Sequence, residues 1–216
     1  MPPGGGIEDG ERVLDILAAH PSTARHIARK LAQRFVADTP PPALVDRAAA
    51  AFRQTRGDLR EVVRTIVTSP EFFADSSYRA KVKTPFEFVV SAIRATGMQV
   101  SNALPLVQSL RDLGMPLYGS QPPTGYPDRA DAWVNTGALL NRMNFAVALA
   151  GGRLRLGTTL PGMTASASSA DALSERLLET ALGGDVSPAT ASTVAKATSS
   201  PQVIALILGS PEFQKK

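Results

Sequence analysis

The sequence predicts an all-α fold, an irregular bundle of about eight to ten helices with one long, ordered loop rich in Pro, Gly and aromatic residues. In most segments, apolar residues recur at the i, i+3, i+4, i+7 spacing of a buried helix face. Many of these segments begin at Ser-Pro or Thr-Pro and end at Gly, as helices commonly do. No segment alternates convincingly between apolar and polar residues over the length of a strand. Arg153–Leu156 alternates but is too short to count as a strand.

Size and composition are those of a globular protein without thiol chemistry. Hydrophobic residues make up 44% of the 216 residues, and a chain of this length buries roughly 70% of the surface that its unfolded form exposes. The net charge of +4 is spread along the chain and does not favour a nucleic-acid partner. The absence of Cys excludes disulfides, thiol nucleophiles and cysteine metal sites.

No catalytic residue, metal or cofactor is predicted. His20 and His26, the two histidines, lack the i, i+4 spacing of a zinc-binding pair, and His20 is expected to act as a helix cap or hinge. No serine lies in a Gly-x-Ser-x-Gly elbow. Asp128 and Asp131 are close enough for a carboxylate pair of the glycosidase type, but a turn after Pro127 and the cap of a short helix are the favoured explanation.

The sequence predicts neither a membrane span nor a signal peptide. No apolar run approaches the length of about 18 residues that a spanning helix needs. The first six residues, Met1–Gly6, lack both the basic and the apolar region of a signal peptide.

The N-terminal part is predicted to contain two helices. Residues 1–9 are expected to form a flexible, glycine-rich lead-in. A short helix then runs from Gly10 to Ala19, with an apolar stripe formed by Val13, Leu14, Ile16 and Leu17. The second helix is expected to begin at the N-cap Ser22 and to end at about Val36.

The outer side of this second helix is strongly basic. It carries four permanent positive charges and no acid, at Arg25, Arg29, Lys30 and Arg34. This basic face favours one of three roles: a solvated surface, with or without ion pairs to Asp38, Asp46 and Glu61; a contact with an N-terminal portion of the protein; or a site for phosphates or an acidic partner.

Further helices are expected on both sides of the long loop. Thr84 and Glu87 form a capping-box pattern around Pro85, which indicates a helix start. A helix beginning at the N-cap Asn135 is expected to extend to about Ala150. Its residues predicted to face the core are Leu139, Leu140, Met143, Ala146 and Val147.

The long loop is the first candidate for a binding site. Residues 114–135 contain the only Trp and two of the three Tyr of the chain, and loops of this length are uncommon unless they bind a ligand or pack as a plug. The polar and aromatic residues here resemble the lining of a small-molecule pocket. The candidate ligand-binding residues are Tyr118, Gln121, Tyr126, Arg129, Trp133, Asn135, Asn141, Arg142 and Asn144.

A structural role for the same loop is the alternative. Proline would fix its backbone, the indole would fill the core, and the side chains of Asn141, Arg142 and Asn144 would hold loop carbonyls.

The whole chain is predicted to be a single all-α domain, residues 1–216. Residues 153–170 are rich in Gly, Thr, Ser and Ala, which predicts a surface linker. A C-terminal helical subdomain, residues 171–216, is expected to follow. The sequence also repeats itself: a strongly apolar helix followed by Ser-Pro-Glu-Phe occurs at 69–72 and again at 210–213.

Several of these motifs, in the same order, are similar to those of the domain of unknown function 1800 family. They are His20–Arg25, Ala28–Leu31, both Ser-Pro-Glu-Phe segments, Lys83–Glu87, Gln121–Pro123, Trp133–Asn135 and Arg142–Ala146. The resemblance implies the C-terminal part of a longer, bacterial and commonly exported protein. It implies no activity.

Two functional hypotheses follow. The first is a non-enzymatic structural or interaction module, whose partner is another protein or the N-terminal portion of the family architecture. The second is a small-molecule or carbohydrate-binding domain, or a hydrolase-like enzyme, with its pocket at residues 114–135.

Overall fold

The computed structural model describes residues 5–157 and 170–216. Within these ranges the secondary structure consists of eleven α-helices, two short 3-10 segments and one isolated β-bridge, with no strand. The all-α prediction is therefore confirmed. The chain divides into two compact units, an N-terminal unit of Met1–Lys81 and a C-terminal unit of Val82–Lys216.

The N-terminal unit is built on tight packing of small residues. Its helices are α1 (Ile7–Ala19), α2 (Pro21–Phe35), α3 (Pro42–Gln54) and α4 (Leu59–Val67). The fully buried residues of α2 are all alanines, which allows α3 and α4 to approach closely, and Leu31 packs against the same core while half-buried. The buried set includes Ala24, Ala28, Ala32, Leu44, Ala48, Val62 and Ile66. Phe35, at the end of α2, is 41% exposed.

Two boundaries differ from the sequence-based expectation. Helix α1 begins at Ile7, inside the segment expected to be a flexible lead-in. The N-cap of α2 is His20 rather than Ser22: its Nδ1 accepts a hydrogen bond from the Ser22 amide at 3.1 Å, and Pro21 takes the first helical position. The capping role expected of His20 is thus confirmed.

The C-terminal unit surrounds a cluster of aromatic rings. Phe88 contacts Phe145 and Phe213 edge-on, with centroid separations of 5.6 and 5.9 Å. The helices that supply and enclose this core are α5 (Pro85–Thr96), α6 (Leu104–Asp112), α7 (Thr136–Ala150), α8 (Ala170–Leu182), α9 (Pro188–Val194), α10 (Ser200–Gly209) and α11 (Pro211–Gln214). Thr84 and Glu87 form the expected capping box at the start of α5.

Helix α7 faces the core with a different side from the one expected. Of the five apolar residues predicted to be buried, only Ala146 is. Leu139, Leu140, Met143 and Val147 are all at least 40% exposed, and the buried set is Arg142, Phe145, Ala146, Leu149 and Ala150. The helix is apolar on nearly every side, so its hydrophobic pattern did not define one inner face.

The predicted linker begins with an ordered turn. Leu156 is buried, and its carbonyl accepts hydrogen bonds from the amides of Ser101 and Asn102 at 3.2 and 3.1 Å. The rest of that predicted segment, residues 158–169, lies outside the described residues.

The two Ser-Pro-Glu-Phe segments share a capping contact, although Pro211–Gln214 forms helix α11 and residues 70–72 form a turn. In each, the serine Oγ accepts a hydrogen bond from the amide of the phenylalanine, at 3.3 Å for Ser69 and 3.2 Å for Ser210. In each, the glutamate binds back to an earlier helix of the same unit: Glu71 to Arg47 in α3, and Glu212 to the start of α9. The repeated sequence therefore makes the same pair of contacts in each unit, a serine cap and a glutamate bound to an earlier helix, and we call this pair a clasp.

Candidate functional site

The long loop closes on itself through its aromatic residues. The Tyr126 hydroxyl donates to the Pro116 carbonyl at 2.7 Å, and the Trp133 Nε1–H donates to the Pro127 carbonyl at 2.8 Å. The two rings lie 6.0 Å apart, and Trp133 is buried. Both aromatic side chains are therefore engaged in fixing the loop, as the structural interpretation expects.

Two more of the candidate residues serve local structure at the end of the loop. Asn135 is the N-cap of α7, where its Oδ1 accepts the Ala138 amide at 2.9 Å. Arg129 forms an exposed ion pair with Asp131 at 2.7 Å. Such a pair contributes little to stability, because both groups are solvated.

Tyr118 and Gln121 lie apart from this arrangement. Tyr118 is fully exposed, and its backbone is left-handed, with φ of +57°. A bulky residue rarely adopts this conformation. Gln121 is also exposed. Neither residue lines the grooves along α7 that are described below.

The three polar residues of α7 point in different directions. Asn141 donates to the Asp112 carbonyl at 3.1 Å, at the end of α6. Asn144 is exposed on the rim of a shallow groove between α6 and α7. Arg142 bonds to neither helix α6 nor the loop. Its Nη2 donates to the Lys83 carbonyl at 2.7 Å and its Nη1 to Gln214 Oε1 at 2.8 Å.

The contacts of the nine candidate residues are therefore spread over several places, and the proposed hold of Arg142 on loop carbonyls was wrong. The candidate residues are close in sequence. Within α7, however, the helical rotation of about 100° per residue points the side chains of Asn141, Arg142 and Asn144 in different directions.

Arg142 is a buried charged residue that packs against the Phe88 ring and is hydrogen-bonded within the C-terminal unit. Its side chain is 2% exposed, and its guanidinium carbon lies 5.2 Å from the centre of the Phe88 ring. Burial lowers the pKa of Arg142 to about 10, and the negative charge of Glu87 opposes that shift. The guanidinium is thus charged at neutral pH, and its hydrogen bonds offset part of the cost of burial.

The basic face of α2 lies on the surface of the N-terminal unit. Arg25 forms one of the expected ion pairs, with Asp46 at 2.7 Å. Asp38 pairs with Lys81, and Glu61 pairs with Arg64 at 3.2 Å. In the described part of the chain, Arg29 and Lys30 have no ion-pair partner.

The structure also contains an apolar groove that the sequence did not predict. It lies between α7, α9 and α10, has a volume of about 310 Å³, and is lined by Met143, Val147, Ala189, Thr193, Ala205 and Leu206, among others. The only sequence signal for this α7 groove was the excess of apolar residues around α7, beyond the one face that packing against the core requires.

The described ranges contain no group of three or more His, Asp or Glu side chains placed to hold a metal ion. None of their helices is both long enough and apolar enough to span a membrane.

Comparison with known proteins identifies a family for this chain but no individual relative. Neither the curated proteins nor the solved structures include a match to this chain. One family model, described as "Protein of unknown function (DUF1800)", matches residues 1–215. Because the match covers essentially the whole chain, this protein belongs to the DUF1800 family.

Proposed function

We propose that this chain is a non-enzymatic helical module that binds an amphipathic helix of a protein partner in the α7 groove. The observation that carries the proposal is the exposure of apolar side chains along α7: Leu140 is 57%, Met143 56% and Val147 48% exposed. They follow one another at spacings of three and four residues, as on a helix surface that packs against another helix.

The chemistry of the groove supports a protein partner. Its walls consist of aliphatic, Thr, Ser, Gly and Pro residues, with no titratable side chain among those that line it. A groove without an acid, base or nucleophilic pair suits apolar contact better than catalysis. Amphipathic helices commonly bind in such grooves through apolar residues at i, i+3 and i+7.

The charge distribution of α7 supports the same conclusion. Arg142 is the only charged residue of this helix, and it is buried against the core. The outer face therefore offers no charge that an apolar partner would have to desolvate. Continuous apolar surface of this kind marks interaction sites in proteins.

Site-specific photocrosslinking tests the proposal. A photoreactive amino acid is placed at Met143 in the full chain, and a matched control carries it at Leu104, an exposed leucine of α6 outside the groove. In the cells that produce the protein, position 143 is expected to yield a discrete protein adduct, and position 104 none.

A charge in the groove provides the second arm of this experiment. Val147→Glu is expected to abolish the adduct at position 143, because a carboxylate would have to be buried in the interface. The adduct should survive Leu104→Glu. Identical adducts at both positions, or no adduct at 143, would argue against the groove as a binding surface.

We also propose that the protein is bacterial and exported, on the strength of the motifs that it shares with the family. Fractionation of the producing cells tests this: the protein should be found with periplasmic or secreted markers.

A ligand-binding role for the aromatic loop is a second candidate, favoured by Tyr118. An exposed aromatic side chain on a left-handed backbone is a costly arrangement, and such strain is concentrated at functional sites. An exposed ring can stack on a sugar. A glycan-array screen with the wild-type chain and Tyr118→Ala tests this role, which requires a signal that the substitution removes.

A further inference from the structure

The first helix of the chain presents an apolar stripe that nothing in its own unit covers. Helix α1 has no buried residue, and Leu14 and Leu17 are 66% and 55% exposed. Ile7, Gly10, Leu14 and Leu17 follow the 3-4-3 spacing that places side chains along one seam of a helix pair. A Cβ atom added to Gly10 would meet no atom within 4 Å, so this seam is open along its length.

The charges of α1 and α2 are complementary. Helix α1 carries four acidic residues and one Arg, whereas α2 carries four basic residues and no acid. In the described ranges, Glu8, Glu11 and Asp15 form no ion pair, and neither do Arg29 and Lys30 of α2. Opposite charges without partners within one chain favour contact between chains.

Helix α2 also has an apolar row beside its basic residues. Ile27, Leu31 and Phe35 lie at i, i+4 and i+8, directly next to Lys30. Ile27 and Leu31 are half-buried and Phe35 is exposed. This row, edged by positive charge, matches an apolar stripe edged by negative charge.

The connection between the two helices prevents this pairing within one chain. Helix α1 ends at Ala19 and α2 begins at Pro21, so His20 is the only residue between them. Antiparallel helix pairs need a connection of about two to five residues. The turn is also fixed by the Thr23 hydroxyl, which donates to the Leu17 carbonyl at 2.6 Å. The acids of α1 therefore cannot lie along the basic face of their own α2.

We propose that two copies of this chain exchange their first helices, so that α1 of each packs on the α2 row of the other. A second copy supplies the missing complement of both surfaces at once, and the exchange closes with twofold symmetry. Pairing of α1 with α1 is disfavoured, because it would bring two acidic helices together. This self-association uses the N-terminal unit and is independent of the α7 groove.

Cysteine crosslinking distinguishes the two arrangements, since the natural chain has no Cys. Leu14→Cys and Phe35→Cys are made as separate full-length variants. Mixed under mild oxidation, they are expected to form a heterodisulfide dimer, whereas each variant alone remains uncrosslinked. A homodisulfide of Leu14→Cys alone would show α1–α1 pairing and would overturn the proposal.

Light scattering after size exclusion gives the oligomeric state. The wild-type chain is expected at about twice its mass of 22.7 kDa at low salt, with dissociation promoted by salt because the charges at the contact are screened. Leu14→Glu should yield a monomer with an unchanged circular-dichroism spectrum, and Leu104→Glu should remain dimeric. A wild-type chain that is monomeric at every concentration would refute the exchange.

A charge-reversal cycle identifies the contact itself. Glu11→Lys and Lys30→Glu are each expected to raise the dimer dissociation constant about fivefold, as loss of an exposed ion pair predicts. Combined in one chain, they should restore most of the affinity. If the double variant has a dimer dissociation constant as high as that of the more weakly dimerising single variant, these two residues are not in contact.

Discussion

Arg142 and Gln214 join the middle of α7 to the last helical turn of the C-terminal unit, through a hydrogen bond of 2.8 Å that is fully buried. Gln214 is itself fixed by two hydrogen bonds. Its side-chain Nε2 donates to the Leu208 carbonyl at 3.0 Å, and its main-chain carbonyl accepts a hydrogen bond from the Lys83 amide at 2.8 Å. Because Arg142 also donates to the Lys83 carbonyl, one guanidinium connects three segments that are remote in sequence.

Replacing Arg142 is expected to destabilise the C-terminal unit strongly. Arg142→Ala leaves Gln214 Oε1 and the Lys83 carbonyl without their donor and opens a cavity beside Phe88, which predicts a loss of about 3 kcal/mol in the free energy of unfolding. Urea unfolding of the full chain, followed by circular dichroism, measures it. Arg142→Met keeps part of the packing and should lose less. A change below about 0.5 kcal/mol for Arg142→Ala would mean that the hydrogen bonds only offset the cost of burial.

The same residue shows what the sequence could and could not predict. The helices and the capping roles of Thr84 and Asn135 depend on residues within one turn of each other, so local pattern was sufficient. The partners of Arg142 are 59 and 72 residues away in the chain. No periodicity reports such contacts, and for that reason the inner face of α7 was assigned to the wrong side.

The candidate binding residues were likewise chosen from local sequence pattern. Tyr126 and Trp133 were recognised as unusual, and the structural alternative correctly described a closed loop. The α7 groove depends on how α9 and α10 pack beside Met143 and Val147. Sequence alone gave only an excess of apolar residues, which is equally consistent with a wider buried face.

Trp133 is expected to be essential for the structure of the long loop. Trp133→Ala removes a buried ring and its hydrogen bond to Pro127, which predicts a loss of about 3 kcal/mol. Trp133→Phe keeps most of the ring and should lose only about 1 kcal/mol, and Tyr126→Phe a similar amount through its bond to Pro116. Thermal unfolding of the three variants gives the order. Unchanged stability of Trp133→Ala would contradict the closed loop.

The left-handed backbone of Tyr118 is expected to lower the free energy of unfolding of the protein. The Gly119 amide donates to the Pro116 carbonyl at 3.0 Å, and this closes a four-residue turn with Tyr118 at its third position. A left-handed residue at this position favours Gly. Tyr118→Gly should raise the free energy of unfolding by about 0.5 kcal/mol, whereas the β-branched Tyr118→Val should lower it by about 1 kcal/mol. Equal stabilities of these two variants would show that the turn relaxes without strain.

Glu212 gives the C-terminal unit a specific dependence on acid. Although burial raises its pKa, hydrogen bonds from the Ser187 side chain, from the amide of Glu212 itself, from the Ser187 amide at 3.1 Å and from the Thr190 hydroxyl at 2.9 Å lower the pKa to about 2, from an ordinary value of 4.5. A carboxyl whose folded pKa is lowered stabilises the folded state fully above its unfolded pKa. That stabilisation is then lost as the pH falls from 4.5 towards 2.

Glu212→Gln removes the group that titrates. At pH 7 the variant should be less stable than the wild type by about 1 kcal/mol, because an amide is a weaker acceptor at the start of α9 than a carboxylate. The difference should shrink progressively between pH 4.5 and pH 3, since the wild-type carboxyl becomes protonated as unfolding proceeds. Urea unfolding at closely spaced pH values measures this convergence. Glu175→Gln, at an exposed position of α8, is the matched control, and its stability should run parallel to that of the wild type throughout. A Glu212→Gln curve that also ran parallel would show that the clasp does not depend on the charge of Glu212.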